Sequence, residues 1–119
     1  MCGIIGYSGE KNAVPILTDG LYALEYRGYD SCGMSVFQDG NVIETIKTKG
    51  RISELEKLTN SMNIKAECGI AHTRWATHGV PSYENSHPHS SRSLSLVHNG
   101  IIDNYKEIKS KLIEAGYSF

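Results

Sequence analysis

The sequence lacks the features that mark membrane, secreted and nucleic-acid-binding proteins. Its 119 residues carry 12 Lys and Arg against 13 Asp and Glu, a formal net charge of −1, so it has no broad basic field to attract nucleic acid or an anionic membrane surface. Its apolar runs are far shorter than the roughly 20 residues that span a bilayer. Its first residues lack the basic leader and apolar core of a signal peptide. We therefore expect a cytoplasmic protein whose partners include neither nucleic acid nor membrane.

Cysteine and proline are also scarce. The three cysteines, Cys2, Cys32 and Cys68, are odd in number and far apart, which argues against a disulfide framework and a CxxC metal site and favours a reducing compartment. Three prolines and no low-complexity stretch give no sign of an internal linker or repeat. With 39% hydrophobic and 21% charged residues, the composition predicts one globular domain over residues 1–119 and no second domain.

What the sequence does contain is a mixture of strand and helix patterns. Short apolar segments predict strands at residues 3–7, 33–37, 42–48, 68–73 and 94–98, with a tight hairpin turn at Asp39-Gly40. Helices are predicted to begin near Asn12, at a capping box over residues 53–56, and near Asn104. Hairpins mixed with helices predict an α+β fold with mainly antiparallel sheets.

Each predicted helix has an apolar face at helical spacing. The residues expected to face inward are Val14, Leu17, Leu21 and Leu24 in the first helix, Leu55, Leu58 and Met62 in the second, and Tyr105, Ile108, Leu112 and Ala115 in the third. Gly116 is the expected cap of the third helix, because helices commonly end at a glycine.

Cys2 is the first residue that suggests chemistry. Removal of Met1 is expected before so small a side chain, and it would leave a thiol and an α-amino group on one residue. The α-amine has a near-neutral reference pKa, so it can act as the base that activates the thiol. A frayed terminus is the ordinary alternative, but the apolar strand predicted directly after Cys2 would hold this terminus in the fold.

A second polar group follows the strand predicted at residues 68–73. Arg74 can bind a carboxylate through two parallel hydrogen bonds, although such a residue is more often at the surface or in an ion pair. Trp75 would ordinarily be a packing residue.

Four of the five histidines lie between residues 72 and 89, so metal binding must be weighed. His87 and His89 offer two ligands, but no set of the zinc type completes them. We expect hydrogen-bonding histidines and no metal.

A third group, His98-Asn99-Gly100, ends the strand predicted at residues 94–98. The side-chain amide of Asn99 and the N–H of Gly100 are suitable donors to a developing oxyanion. Asn-Gly is also a frequent turn, so from the dipeptide alone both interpretations stay open.

Five blocks of the sequence together resemble a known family. They are CGIIGY at residues 2–7, LEYRGYDS at 24–31, HTRWATHG at 72–79, NSHPH at 85–89 and VHNG at 97–100. The chain resembles the glutamine amidotransferases with an N-terminal cysteine and, more narrowly, the glutaminase domain of the glutamine:fructose-6-phosphate aminotransferases. The Cys-Gly-Ile start is shared with other amidotransferases, whereas EYRGYDS and HTRWATHG together are typical of the aminotransferases. The match extends from the first residue to about residue 117.

The resemblance implies three catalytic residues. Cys2 would be the nucleophile that attacks the side-chain amide of L-glutamine, releases ammonia and leaves a glutamyl thioester for water to hydrolyse. Its own α-amine would be the general base. Asn99 and Gly100 would line the oxyanion hole.

The resemblance also implies substrate-binding and supporting residues. Arg74 would hold the α-carboxylate of glutamine, with Thr77 and His78 nearby in the substrate loop. Trp75 would belong to a loop that closes over the site and gates the passage of ammonia. Arg27 would lie next to the terminal cysteine and help to order the site.

The fold implied by the resemblance is part of a four-layer αββα sandwich of the N-terminal-nucleophile hydrolases. The ammonia would serve the synthesis of glucosamine 6-phosphate from fructose 6-phosphate, which would bind a synthase domain absent from this chain. No cofactor is implied, and a homo-oligomer is expected.

The chain departs from the family pattern at two places. Cys32 stands where the family usually has Ala, which fits a packing role. An Asp that holds the α-amine of glutamine in the family would follow residue 119, so the resemblance predicts an amidotransferase domain truncated on its C-terminal side. The alternative function is therefore a catalytically silent module that binds a partner or ligand.

Overall fold

The structure is a computed structural model that describes residues 1–39 and 41–119. Gly40 of the predicted hairpin turn lies outside the described residues. The elements in chain order are β1 (Gly3–Ser8), α1 (Ala13–Ala23), a 3-10 turn (Glu25–Arg27), β2 (Ser31–Gln38), β3 (Val42–Thr48), α2 (Ile52–Met62), β4 (Ala66–Arg74), β5 (His89–Ser90), β6 (Ser95–Leu96) and α3 (Tyr105–Glu114). None of the helices in these two ranges is long and apolar enough to cross a membrane.

The four long strands form one antiparallel sheet in the order β1-β4-β2-β3. Strand β4 is central, since Thr73 pairs with Gly3 of β1 on one side and with Cys32 of β2 on the other. The short strands β5 and β6 form a separate antiparallel ribbon, with Ser90 opposite Ser95. The predicted α+β class with mainly antiparallel sheets is confirmed.

Helices α1 and α2 cover one face of the sheet. Leu17 and Leu21 of α1 are fully buried against Met34 of β2, and Ile52 and Leu55 of α2 extend the same core. Burying a side chain of this size stabilises a fold by about 1.5–3 kcal/mol. This apolar layer therefore fixes both helices on the sheet and leaves the opposite face for other contacts.

Asn12 joins the start of α1 to the start of β4. Its Oδ1 accepts the N–H groups of Val14 and Ala66, both at 3.3 Å, and its Nδ2 donates to the carbonyl oxygen of Ile64 at 3.1 Å. A side-chain oxygen at this position satisfies an N–H group that has no partner within the helix. The helix start predicted near Asn12 is confirmed.

The predicted start of the second helix is wrong. Helix α2 begins at Ile52 and follows Arg51, whose side chain makes no capping hydrogen bond. Ser53 therefore lies inside the first turn and cannot act as the cap. The sequence signal was misleading because a Ser followed three residues later by Glu also occurs within a first turn.

The inner face of α2 also differs from the prediction. Leu55 is buried as expected, but Leu58 and Met62 are 44% and 45% exposed. The buried face follows Ile52, Leu55 and Thr59, at spacings of three and four residues. The buried face is centred on Ile52, which the predicted helix left out, and on Thr59, so Leu58 and Met62 lie at its edge toward solvent.

The end of the chain is less packed than the sequence predicted. The strand expected at residues 94–98 is the two-residue β6, and its partner β5 lies where no strand was predicted. Helix α3 forms within one residue of its predicted bounds, and Gly116 follows it with a φ of +91°. No residue of α3 is buried, so its predicted apolar face remains uncovered within the described residues.

Candidate functional site

The face of the sheet opposite α1 and α2 carries the polar residues singled out in the sequence. Side chains along a strand alternate between the two faces. Gly69 of β4 lies against the Leu17 side chain of α1. His72 and Arg74 are an odd number of positions further along the same strand, so their side chains point to the opposite face of the sheet. His72, Arg74 and Cys2 all line one cavity of about 700 Å³.

Seven of the eight predicted site residues line this cavity. They are Cys2, Arg74, Trp75, Thr77, His78, Asn99 and Gly100. The eighth, Arg27, lies beside the chain terminus, where its carbonyl oxygen accepts the Met1 ammonium at 3.4 Å and its Nη2 lies 3.7 Å from the Met1 sulfur. Residues separated by almost one hundred positions in sequence therefore meet in one place.

The Cys2 thiol is half-buried at the edge of the cavity. Its Sγ accepts the backbone N–H of Trp75 at 3.4 Å. The next residue is anchored by the Gly3 N–H, which donates to the Thr73 hydroxyl at 3.0 Å. The strand therefore fixes Cys2, and the terminus is not frayed at this residue.

The other two cysteines lie away from this cavity. Cys32 is fully buried in the core, and burial, followed by the charge of Glu54, raises the pKa of its thiol to about 12. Cys68 is exposed on β4. A deprotonated thiol is the reactive form, so Cys32 is poorly suited to nucleophilic chemistry.

Arg74 ends β4 and is only 8% exposed. Its guanidinium donates to the carbonyl oxygens of His78 and Val80, the latter at 3.3 Å. These bonds hold the loop that follows the strand, and in that loop the Thr77 hydroxyl lies 3.1 Å from His78 Nδ1. Arg74 is thus a loop-holding residue as well as a cation that faces the cavity.

Asp30 orders the turn at the edge of the site and was not predicted from the sequence. Its carboxylate accepts the N–H of Ala76, and its own N–H donates to the Arg74 carbonyl at 2.8 Å. These two bonds fix the turn by which β4 leaves the sheet. The signal was present, since Asp30 belongs to the quoted block at residues 24–31 and Ala76 to the block at 72–79.

Gly28 of the same block supports Trp75. A Cβ atom at Gly28 would lie 2.7 Å from Cζ3 of the indole, and its φ of +75° and ψ of 153° are accessible mainly to glycine. The indole therefore rests directly on the backbone of Gly28.

Three histidine rings form the back of the cavity. The His72 and His87 rings stack with centroids 4.4 Å apart and planes at 23°, and the His89 ring meets His87 edge-on at 4.4 Å. Burial, followed by the charge of Arg74, lowers the pKa of His72 to about 4. In the part of the chain that the structure describes, no group of three His, Cys, Asp or Glu residues is arranged to hold a metal ion.

The segment at residues 98–100 lies against this stack. The His98 N–H donates to His87 Nδ1 at 3.3 Å. The His98 ring folds over Gly100, where a Cβ atom would lie 2.8 Å from Nε2. Within residues 1–39 and 41–119, the N–H groups of Asn99 and Gly100 make no hydrogen bond to protein, so both remain available to a ligand.

Comparison with known proteins identifies similar sequences over the whole chain. The family model for class-II glutamine amidotransferases matches residues 1–115. The glutamine–fructose-6-phosphate aminotransferase (isomerizing) of Bacteroides thetaiotaomicron is 54% identical over 121 aligned residues, and that of Francisella tularensis is 52% identical over 120. Each alignment covers all of this chain and 20% of the relative, so the chain spans about a fifth of the length of these curated relatives.

Solved structures show the same fold. The glutamine phosphoribosylpyrophosphate amidotransferase from B. subtilis, complexed with ADP and GMP, is 30% identical with a TM-score of 0.81. A structure described as the allosteric regulatory enzyme of purine biosynthesis is 31% identical with a TM-score of 0.83. In both cases the match covers 100% of this chain and 26% of the other.

Proposed function

This chain belongs to the class-II glutamine amidotransferases, and we propose that it hydrolyses the side-chain amide of L-glutamine with Cys2 as the nucleophile. The observation that carries the proposal is one cavity lined by Cys2, Arg74, Asn99 and Gly100, in which the Asn99 side-chain amide and the Gly100 N–H are the donors. A thiol, a cation for a carboxylate and donors for an oxyanion are the parts that acyl transfer from an amino acid requires.

The proposed reaction begins with removal of Met1, which frees the α-amine of Cys2. This amine takes the thiol proton, and the sulfur attacks the amide carbon of glutamine. Asn99 and Gly100 donate hydrogen bonds to the oxyanion that forms. When the C–N bond breaks, the protonated amine returns its proton to the leaving nitrogen and ammonia departs. Water activated by the same amine then cleaves the thioester to give glutamate.

The substrate's other end is assigned to the loop after β4. We propose that Arg74 holds the α-carboxylate of glutamine, with Thr77 and His78 beside it, and that Trp75 gates the cavity. Two observations support the gating role. The Trp75 indole is half-exposed, and it contacts Gly28, which has no side chain that would restrain the ring. Arg27 would order the terminus that carries Cys2.

The longer context is proposed from the relatives. As a part of the amidotransferase domain, the chain would supply ammonia for the synthesis of glucosamine 6-phosphate from fructose 6-phosphate, which would bind a synthase domain outside these residues. Support comes from 52–54% identity to two glutamine–fructose-6-phosphate aminotransferases (isomerizing).

A homo-oligomer is proposed from exposed apolar side chains. Ile4, Phe37, Leu96 and Ile101 are between 45% and 63% exposed, and burying apolar side chains of this kind against a second copy would be favourable. Sedimentation should show dimers or larger species that Phe37→Lys weakens and that Leu58→Lys, on the outer side of α2, leaves intact. A wild-type chain that is monomeric at all concentrations would contradict this proposal.

Ammonia release from glutamine tests the proposed reaction. Cys2→Ala should abolish it, whereas Cys68→Ala, a matched removal of an exposed thiol, should leave it unchanged. No release from the wild-type chain would favour the silent binding module, and release that persists in Cys2→Ala would remove Cys2 from the mechanism.

A further inference from the structure

The backbone on either side of the His87 ring is anchored to the sheet. A Cβ atom at Gly33 of β2 would clash with the His87 carbonyl oxygen, so the glycine permits this close approach of the two backbones. One residue earlier, Lys47 Nζ of β3 donates to the Ser86 carbonyl oxygen at 3.0 Å. The backbone that carries His87 is therefore held against both strands of the β2–β3 hairpin.

The His87 ring is fixed on two sides by other imidazoles. Its flat face stacks on His72 at 4.4 Å, and His89 contacts it edge-on at the same centroid distance. His72 is 1% exposed and belongs to the central strand β4, and neither of its ring nitrogens has a hydrogen-bond partner among the described residues. A side chain in that position acts as a rigid platform for the ring above it.

One atom of the fixed ring makes a directed contact. His87 Nδ1 lies 3.3 Å from the backbone nitrogen of His98, with the N–H pointing at it. This bond requires Nδ1 to be unprotonated. Burial, followed by the charges of His72, His89 and Arg74, lowers the pKa of His87 to about 3, so the ring remains an acceptor at neutral pH.

The contact determines what the next two residues can do. With its N–H committed to His87, His98 is fixed. Asn99 and Gly100, whose N–H groups have no protein partner among the described residues, line the cavity that holds Cys2. We propose that His87 is a positioning residue: stacked on His72, it accepts the His98 N–H and thereby aims Asn99 and Gly100 at the oxyanion. The inference rests on the proposed function of Asn99 and Gly100, because His87 itself touches no reacting atom.

A pair of variants separates the acceptor from the ring. His87→Phe keeps a flat ring on His72 but has no acceptor, and His87→Asn loses the ring but places a carbonyl oxygen near the position of Nδ1. In His87→Phe the His98 amide should exchange with solvent deuterium roughly two- to tenfold faster, as expected for loss of one hydrogen bond. The same variant should lower kcat for glutamine hydrolysis by roughly two- to tenfold, with a smaller change in the KM for glutamine because Arg74 is untouched.

His87→Asn should restore both the exchange protection of the His98 amide and kcat to near the wild-type values. The inference is overturned if His87→Phe exchanges and turns over like the wild type, or if His87→Asn is as impaired as His87→Phe, which would mean that only the packing of the ring matters. Absence of ammonia release from the wild-type chain would refute the proposed function instead. The exchange comparison would then decide alone whether His87 holds His98.

Discussion

Acidification should destabilise this fold through His72. The ring is buried and its pKa falls from 6.5 to about 4 in the folded protein, because burial and the charge of Arg74 disfavour its protonated form. Between these two values the unfolded chain binds a proton that the folded chain does not, so stability falls as the pH falls. From pH 7 to pH 4.5 this single residue should cost about 2 kcal/mol.

The assay is urea unfolding at both pH values for the wild type and His72→Phe. Phenylalanine keeps a flat ring on His87 and does not titrate, so the wild type should lose about 2 kcal/mol more stability than the variant over this interval. The difference between the proteins isolates His72 from the carboxyl groups that titrate in the same range. An equal loss in both proteins would mean that folding does not shift the His72 pKa.

Two further predictions concern residues around the cavity. Arg74→Lys replaces a guanidinium that bonds two loop carbonyls. The KM for glutamine should rise roughly ten- to a hundredfold, the equivalent of one charge-assisted hydrogen bond. An unchanged KM in steady-state kinetics would assign the α-carboxylate to another residue. Gly28→Ala should destabilise the fold by about 1–3 kcal/mol because of its backbone angles and shift the fluorescence of Trp75, the single tryptophan. Gly6→Ala, which meets no atom within 4 Å, is the matched control and should change neither.

The sequence was sufficient to predict the elements that build the sheet. Local signals act within a few residues. The strand at Val42–Thr48 was predicted from its apolar segment, and the helix after Asn12 from its apolar spacing and the capping side chain directly before it. The family membership inferred from the five blocks is also confirmed by the match over residues 1–115. Both results depend on patterns that are contiguous in sequence.

The contacts between blocks could not be predicted in the same way. The stack of His72 on His87 depends on the close approach of residue 87 to Gly33, and nothing local to either histidine signals it. Asp30 belongs to a quoted block, but the block does not show which residue it contacts, and its partner Ala76 is 46 residues away. The buried face of α2 was predicted wrongly because Leu58 is apolar but points to solvent. Which side of a helix is buried depends on its packing and not on hydrophobicity alone.

The most direct test of the central claim, that Cys2 is the nucleophile, is mass spectrometry after exposure to a glutamine analogue that carries an electrophile at the amide position. We expect one adduct per chain, on a Cys2 that has become the first residue through loss of Met1, and protection of that residue by glutamine. Cys32 should stay unlabelled because its thiol is buried with a pKa raised to about 12. An adduct confined to the exposed Cys68, or labelling of Cys2 that glutamine does not slow, would contradict the claim.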